Sequence, residues 1–332
     1  YQHTWARTVT FRFKGDRHAS IPTFSGSRNI LNMLYSRSIR WCFMVGAALL
    51  VAGCGGSEPI ADERYIEPDR MVSLMEKNLA SSATLLKVAD IDHSRLGHQA
   101  GSPMPPARVL IFSDPQLESE LIKQNPLAAL DLPSRVLAFE DWRDSSIKVI
   151  YNTFDYLVSR YQLDPGSTVK LRDRYNANLG VAINGIASTA VAVFPSDTMS
   201  PDGIITISSP FGFDETVERV NEAIDAQGDT MHFGTVDFQA NARELGVEIT
   251  PSYLILFGGP GPGGKAMVKA PTLGLDGFCQ KFLIWEDASG QVKLSFNDLL
   301  ALAERQGVKK AIALRVINHR LKKTFGDALA SN

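Results

Sequence analysis

The chain has 332 residues, 44% hydrophobic and 21% charged, which excludes disordered, fibrous and collagen-like classes. Its formal net charge of −2 hides an asymmetry: residues 1–53 hold seven basic side chains and one acidic, residues 54–332 hold 27 basic and 35 acidic. An acidic body lacks the electrostatic footprint of a nucleic-acid binder, and three cysteines cannot build a disulfide framework.

Tyr1 opens the chain, and residues 1–32, rich in Arg, Ser and Thr without periodicity, read as an upstream extension. Met33 begins a different pattern. Arg37 and Arg40 precede 17 uncharged residues that dilute into Gly55-Gly56-Ser57 before Glu58. That run is short of the roughly 20 apolar residues a membrane span needs, and fits a secretory signal over 33–53. Val51-Ala52-Gly53-Cys54 resembles the lipobox of bacterial lipoproteins, in which cleavage after Gly53 would leave a diacylglycerol thioether on Cys54. Residues 54–66 then form a tether. The expected place is the cell envelope, lipid-anchored. Gly55 rather than Asp after the cysteine points to the periplasmic side of the outer membrane in a Gram-negative cell. Each buried CH₂ of such an anchor contributes about 0.8 kcal/mol. Cys279 would remain the one free thiol of the mature chain, expected to be buried and inert.

The rest of the chain repeats itself. A displacement of 145 residues aligns 69–131 with 214–276 without a gap, matching Asp69/Asp214, Asp92/Asp237, Phe112/Phe257, Pro115/Pro260 and Asp131/Asp276. After a one-residue slip at Glu140-Asp141/Glu286-Asp287, the register returns for Asn152/Asn297 and Arg160/Arg305. The first copy, 67–193, predicts a helix near Asp69–Leu79 and strands near Thr84–Ile91, Arg108–Ser113, Arg135–Glu140 and Lys148–Tyr151. A helix near Val169–Ile186 follows, and an opening strand is only weakly marked. A proline-marked linker covers 194–203. The second copy, 204–325, opens with a strand at Ile204–Ser208 and a helix that Asp214 would cap. Strands follow at Met231–Phe238, Tyr253–Phe257, Lys281–Trp285 and Val292–Phe296. Short helices are expected at Gln239–Leu245 and from Asn297 to Leu302, and an amphipathic one at Lys309–Leu321. Gly258–Gly264 reads as a long flexible turn. A strand–turn–strand pair closes each copy, so the class is α+β: two similar domains, each a mainly antiparallel sheet packed with helices.

Val109-Leu110-Ile111-Phe112-Ser113-Asp114-Pro115, then Leu130-Asp131-Leu132-Pro133 and Phe139-Glu140-Asp141, resemble the pattern of the bacterial domain of unknown function 302. Leu254-Ile255-Leu256-Phe257-Gly258-Gly259-Pro260 and Trp285-Glu286-Asp287 repeat it, whereas Leu275-Asp276-Gly277-Phe278 departs from it. The resemblance covers about residues 60–320. It implies a fold like that of the TATA-box-binding protein in outline, without implying DNA binding, and it implies no activity; no cofactor is expected.

Candidate chemistry is thin. Asp90, Asp92, His93 and His98 are plausible metal-ligand types, but the two histidines lie five apart and the second copy keeps only Asp237. The residues repeated at turns and strand exits, Pro115, Asp131, Asn152, Pro260, Asp276 and Asn297, are the candidates for a pocket or its loops. The glycine-proline run lacks a Walker pattern, and its prolines remove amide donors. Adjacent acids at Glu140-Asp141 and Glu286-Asp287 point to opposite faces of a strand and cannot act as a dyad. No Ser-His-Asp set assembles from His93, His98, His232 and His319.

The reading is a non-enzymatic binding or interaction module on a membrane anchor, with an unknown small molecule or envelope protein as partner. The alternatives are a small-molecule enzyme with a pocket within or between the copies, and a structural envelope protein. The duplication further predicts a pseudo-two-fold pair with a ligand cleft at or beside the seam.

Overall fold

A computed structural model describes residues 63–195, 199–309 and 312–330. The first copy runs α1 (Ile66–Ala80), β1 (Leu86–Asp92), α2 (His93–Gln99), β2 (Ala107–Ser113), α3 (Pro115–Gln124), β3 (Ser134–Glu140), β4 (Ile147–Tyr151), α4 (Phe154–Tyr161) and α5 (Val169–Ala182). The second runs β5 (Ile204–Ser208), α6 (Phe213–Asp225), β6 (Met231–Asp237), α7 (Phe238–Glu244), β7 (Ser252–Gly258) and α8 (Pro260–Met267). It closes with β8 (Gln280–Glu286), β9 (Val292–Asn297), α9 (Leu299–Arg305) and α10 (Ile312–Ala328). The class is α+β, with antiparallel sheets ordered β1-β2-β3-β4 and β5-β9-β8-β7-β6.

Equivalent residues do equivalent local work. Asp92 and Asp237 end their strands and cap the following helices, accepting from the amides of Arg95 and Ala240. Pro115 and Pro260 both open a helix, where proline's missing N–H costs nothing. Four expectations are corrected. Gly212, not Asp214, is the N-cap of α6, leaving Asp214 in the first turn; Asp298, not Asn297, caps α9. The first copy has no opening strand among the described residues; beside β4, Val191 makes a single parallel bridge to Val149. The glycine-proline run is the helix α8, not a turn.

Helix packing explains α8. In each copy a short helix crosses its partner's: α2 packs on α8, and α7 on α3, a reciprocal exchange about a pseudo-two-fold. Where α2 meets α8, a Cβ on Gly264 would stand 2.4 Å from the Ser102 carbonyl oxygen and 3.3 Å from the Cα of Gly97. Glycine is required by this approach, and the local turn signal yields to it. One continuous apolar core joins the copies, drawing Val109, Ile111 and Leu137 from the first and Leu254, Leu256 and Leu283 from the second. A separate cluster (Ile255, Phe257, Phe282, Ile284, Phe325) fills the other face of the second sheet, under α6 and α10. Strand alternation therefore turns Leu254, Leu256, Lys281 and Leu283 to the seam and Ile255, Phe257, Gln280 and Phe282 away from it.

Gly264→Ala is expected to destabilise the fold by about 1–3 kcal/mol, because the added methyl meets backbone rather than a movable side chain. A urea-unfolding midpoint indistinguishable from wild type would contradict the close α2–α8 crossing.

Candidate functional site

The strand exits and the segments before β3 and β8 converge on the seam. Asp131 precedes β3 and Asp276 precedes β8; Asn152 follows β4 and Asn297 ends β9. All four are buried, with Arg135, Arg160, Lys281 and Arg305. Lys281 Nζ donates to Asp131 Oδ1 and, at 2.8 Å, to Asp276 Oδ1. Arg160 donates to Asp131 Oδ2 at 2.6 Å and to Asn297 Oδ1 at 2.7 Å. Arg305 donates to Asn152 Oδ1 at 2.8 Å, and Asn152 Nδ2 to Asp276 Oδ2 at 3.0 Å. Arg135 lies 4.0 Å from Asp276.

These contacts are reciprocal. The arginine of each copy grips the asparagine of the other: Arg160 to Asn297, Arg305 to Asn152. The cation that opens each central strand faces the other copy's aspartate: Lys281 to Asp131, Arg135 to Asp276. Symmetry breaks around Asp131. Tyr156 and Tyr161 donate to Asp131 Oδ2 at 2.9 and 2.6 Å, while Ala301 and Gln306 stand at the matching places of the second copy. The Arg305 guanidinium instead stacks between Tyr156 and Phe194, 3.8 and 4.2 Å from their ring centroids.

Burial pushes the Asp131 carboxyl up, but Arg160 and Lys281 outweigh it and hold the group well below the usual carboxylate range. Asp276 is lowered too, burial again being offset chiefly by Lys281. Burial raises the phenols of Tyr156 and Tyr161 well above their ordinary value, so both stay donors. The cavity that reaches the cluster, lined in part by Asp276, Gln280, Lys281 and Asn297, measures about 10 Å³, room for one water at most. The repeated polar residues thus meet in a filled seam, not in the expected cleft.

The other candidates separate. Asp90 pairs with Arg108, Asp92 caps α2 and pairs with Arg95, and His98 is exposed. His93 turns into the seam, its Nε2–H donating to the Gly274 carbonyl at 2.9 Å. The four do not converge, and no cluster of His, Cys, Asp and Glu among the described residues could hold a metal ion. Glu140 and Asp141 are buried rather than solvated, bonded to Arg64 and Lys148. Cys279 is buried, and desolvation pushes its thiol up to about 11, far from a reactive thiolate. Pro115 and Pro260 stand at helix starts, and Gly53 and Cys54 lie outside the described residues. The basic half of the cluster escaped the sequence reading. Arg160/Arg305 stood among the repeated identities, whereas Arg135/Lys281 match only in charge and only after the one-residue slip.

The model of the family named Domain of unknown function DUF302 matches residues 64–179 and again 205–325. The chain belongs to the DUF302 family. It carries two DUF302 domains in tandem. A 125-residue stretch is 35% identical to a protein named fluoride-specific ion channel FluC 1 from Brucella suis biovar 1 (strain 1330), covering 37% of this chain and 48% of that protein. The namesake from Brucella abortus biovar 1 (strain 9-941) matches at the same identity over 46% of its length. The chain therefore spans about half the length of these relatives. The crystal structure of an uncharacterized conserved DUF302 protein from Bacillus stearothermophilus aligns with a TM-score of 0.33 at 18% identity, over 38% of this chain and 95% of that one. No described helix is long and apolar enough to cross a membrane.

Two outcomes test the seam. Asp131→Asn leaves Lys281 and Arg160 buried without their shared countercharge, an expected loss of about 3–5 kcal/mol in denaturant unfolding. A loss below 1 kcal/mol would mean the cluster is not desolvated as described. The second test uses pH. Burial lowers the His93 ring from 6.5 to about 4, so the unfolded chain binds the proton that the folded chain refuses. Its contribution is whole above pH 6.5 and falls by up to about 3 kcal/mol as pH drops toward 4. His93→Gln, which keeps an amide donor for Gly274, should show a shallower fall over that window.

Proposed function

We propose that this tandem DUF302 protein is a membrane-tethered, non-enzymatic binding or interaction module, held in the cell envelope through an acylated Cys54. One observation carries the non-enzymatic part: the polar residues repeated in both copies are buried and hydrogen-bond to one another across the seam. An enzyme of this design would turn at least some of them toward a substrate-sized space.

The tether rests on Val51-Ala52-Gly53-Cys54 behind a basic, then apolar, segment. The Brucella relatives support a membrane setting, since their name is that of an ion channel. A match of 125 residues is about the length of one DUF302 repeat and leaves roughly half of each relative unmatched. What this reading carries over is a shared accessory module, not ion conduction.

Mass spectrometry of the N-terminus tests the tether. Wild type should begin at a diacylglyceryl-modified Cys54, and Cys54→Ser should stay unacylated and uncleaved, because serine cannot form the thioether. An unmodified mature N-terminus at any other residue would refute the anchor. Turnover of any compound in a hydrolase and redox panel, abolished by alanine at Asp131 or Asp276 in a variant that still folds, would refute the non-enzymatic reading.

A further inference from the structure

The two copies differ where α3 and α8 begin. In the first copy this place is filled by polar side chains. Asp114 accepts from Arg174 at 2.6 Å through both oxygens and from Asn178 at 2.7 Å, and Glu118 accepts from Ser113 at 2.7 Å. The 145-residue displacement puts Gly258, Gly259 and Gly263 at the positions of Ser113, Asp114 and Glu118. Two buried carboxyl groups are absent from the second copy, and a cavity of about 40 Å³ lies there, room for about three waters.

Its walls are Phe257 and Phe278 beside the sheet, Gly259 and Gly263 at the start of α8, and Ile317 and Arg320 from α10, the counterpart of α5. Gln280 also lines it, only 9% exposed, and its Oε1 has no hydrogen-bond partner. A half-turn of that amide presents Nε2 as donor instead. Arg320 bonds both oxygens of Asp229 at the mouth, and among the described residues that line the cavity Asp229 is the one carboxylate an anion would meet. Gln227 and Thr230 complete the polar lining. A carboxylate in this space would meet the Arg320 guanidinium, shared with Asp229, and, once the amide has turned, Gln280 Nε2.

We propose that the second copy binds a small monocarboxylate of acetate size here, its carboxylate held by Arg320 and Gln280 in the place of the Asp114 carboxylate of the first copy. The inference rests on the binding reading above and names its ligand class. The cavity excludes an aromatic acid by volume. The mouth carboxylate sets the affinity low, and removing its charge raises it.

The test is thermal unfolding of the full-length chain in sodium acetate against sodium chloride at equal ionic strength. Wild type should show a saturable rise in Tm of about 3 °C with acetate and none with benzoate. Gly259→Asp supplies the carboxylate internally; its new Cβ would sit 3.1 Å from the Asp229 carbonyl oxygen, a tight contact. That variant should lose the acetate response, and if it fails to fold, Arg320→Gln should lose it instead. Asp229→Asn should reach half-saturation at several-fold lower acetate. An equal response to chloride or phosphate, or an acetate response that survives both Gly259→Asp and Arg320→Gln, would overturn the site. A different ligand whose effect survives those variants would overturn the site alone. No response to acetate, with no response to any metal or metabolite in the same screen, would overturn the site and the binding reading together.

Discussion

Lys281 donating to one aspartate of each copy is the interaction on which the rest of the structure depends. An ammonium with no exposed surface is tolerable only if its countercharges are fixed, and here they come from both halves of the chain. Four basic side chains surround two carboxylates, and the hydrogen bonds that cross between the copies constrain where the copies sit. Apolar contact alone would permit sliding. Reciprocal arginine–asparagine grips do not, because Arg160 and Arg305 each find their partner only in one relative placement. A slip of one residue along β8 would bring Phe282 into the cluster and Lys281 into the aromatic cluster beneath α10, costing several kcal/mol on both faces. The buried charge is better read as a device for specificity than as a source of stability.

The same constraint reaches the small residues. Holding the copies this close brings α2 within backbone distance of α8 and the His93 ring within 2.9 Å of the Gly274 carbonyl. Glycine at 264 and 274 follows from the approach, not from any need to turn. That is why a run whose local chemistry signals a flexible turn folds as a helix. Pro260 and Pro262 sit in its first turn, where a missing amide is tolerated, and the glycines beyond them face a neighbour.

Much of the architecture was legible because the chain carries it twice. Asp92 and Asp237 stood out as identities in the repeat, and both prove to be caps; Asp131, Asp276, Asn152 and Asn297 stood out, and all four meet at the seam. The pairing was not legible. The partners lie 124 to 153 residues apart, and nothing local to Asn152 announces Arg305. Periodicity locates the face a side chain points to, but the identity of the opposing face is a tertiary fact. The burial of Glu140 and Asp141 was not legible either, since Arg64 and Lys148 cover them from elements distant in sequence or across the turn.

Duplication within one chain also frees the interface from the symmetry that shaped it. In a homodimer any substitution at the seam occurs twice, and a lost carboxylate leaves two cations unpaired. In a tandem chain the change occurs once, and the other copy can go on carrying the packing. The first copy keeps Asp114 and Glu118 locked with Ser113, Arg174 and Asn178, a filled and satisfied network beneath its terminal helix. The second has glycine at all three matching positions, and Arg320 of its terminal helix bonds Asp229. The shared cluster at the seam keeps both copies in register while their α3 and α8 ends differ. An asymmetric site on a pseudo-symmetric frame is the arrangement that this division of roles permits.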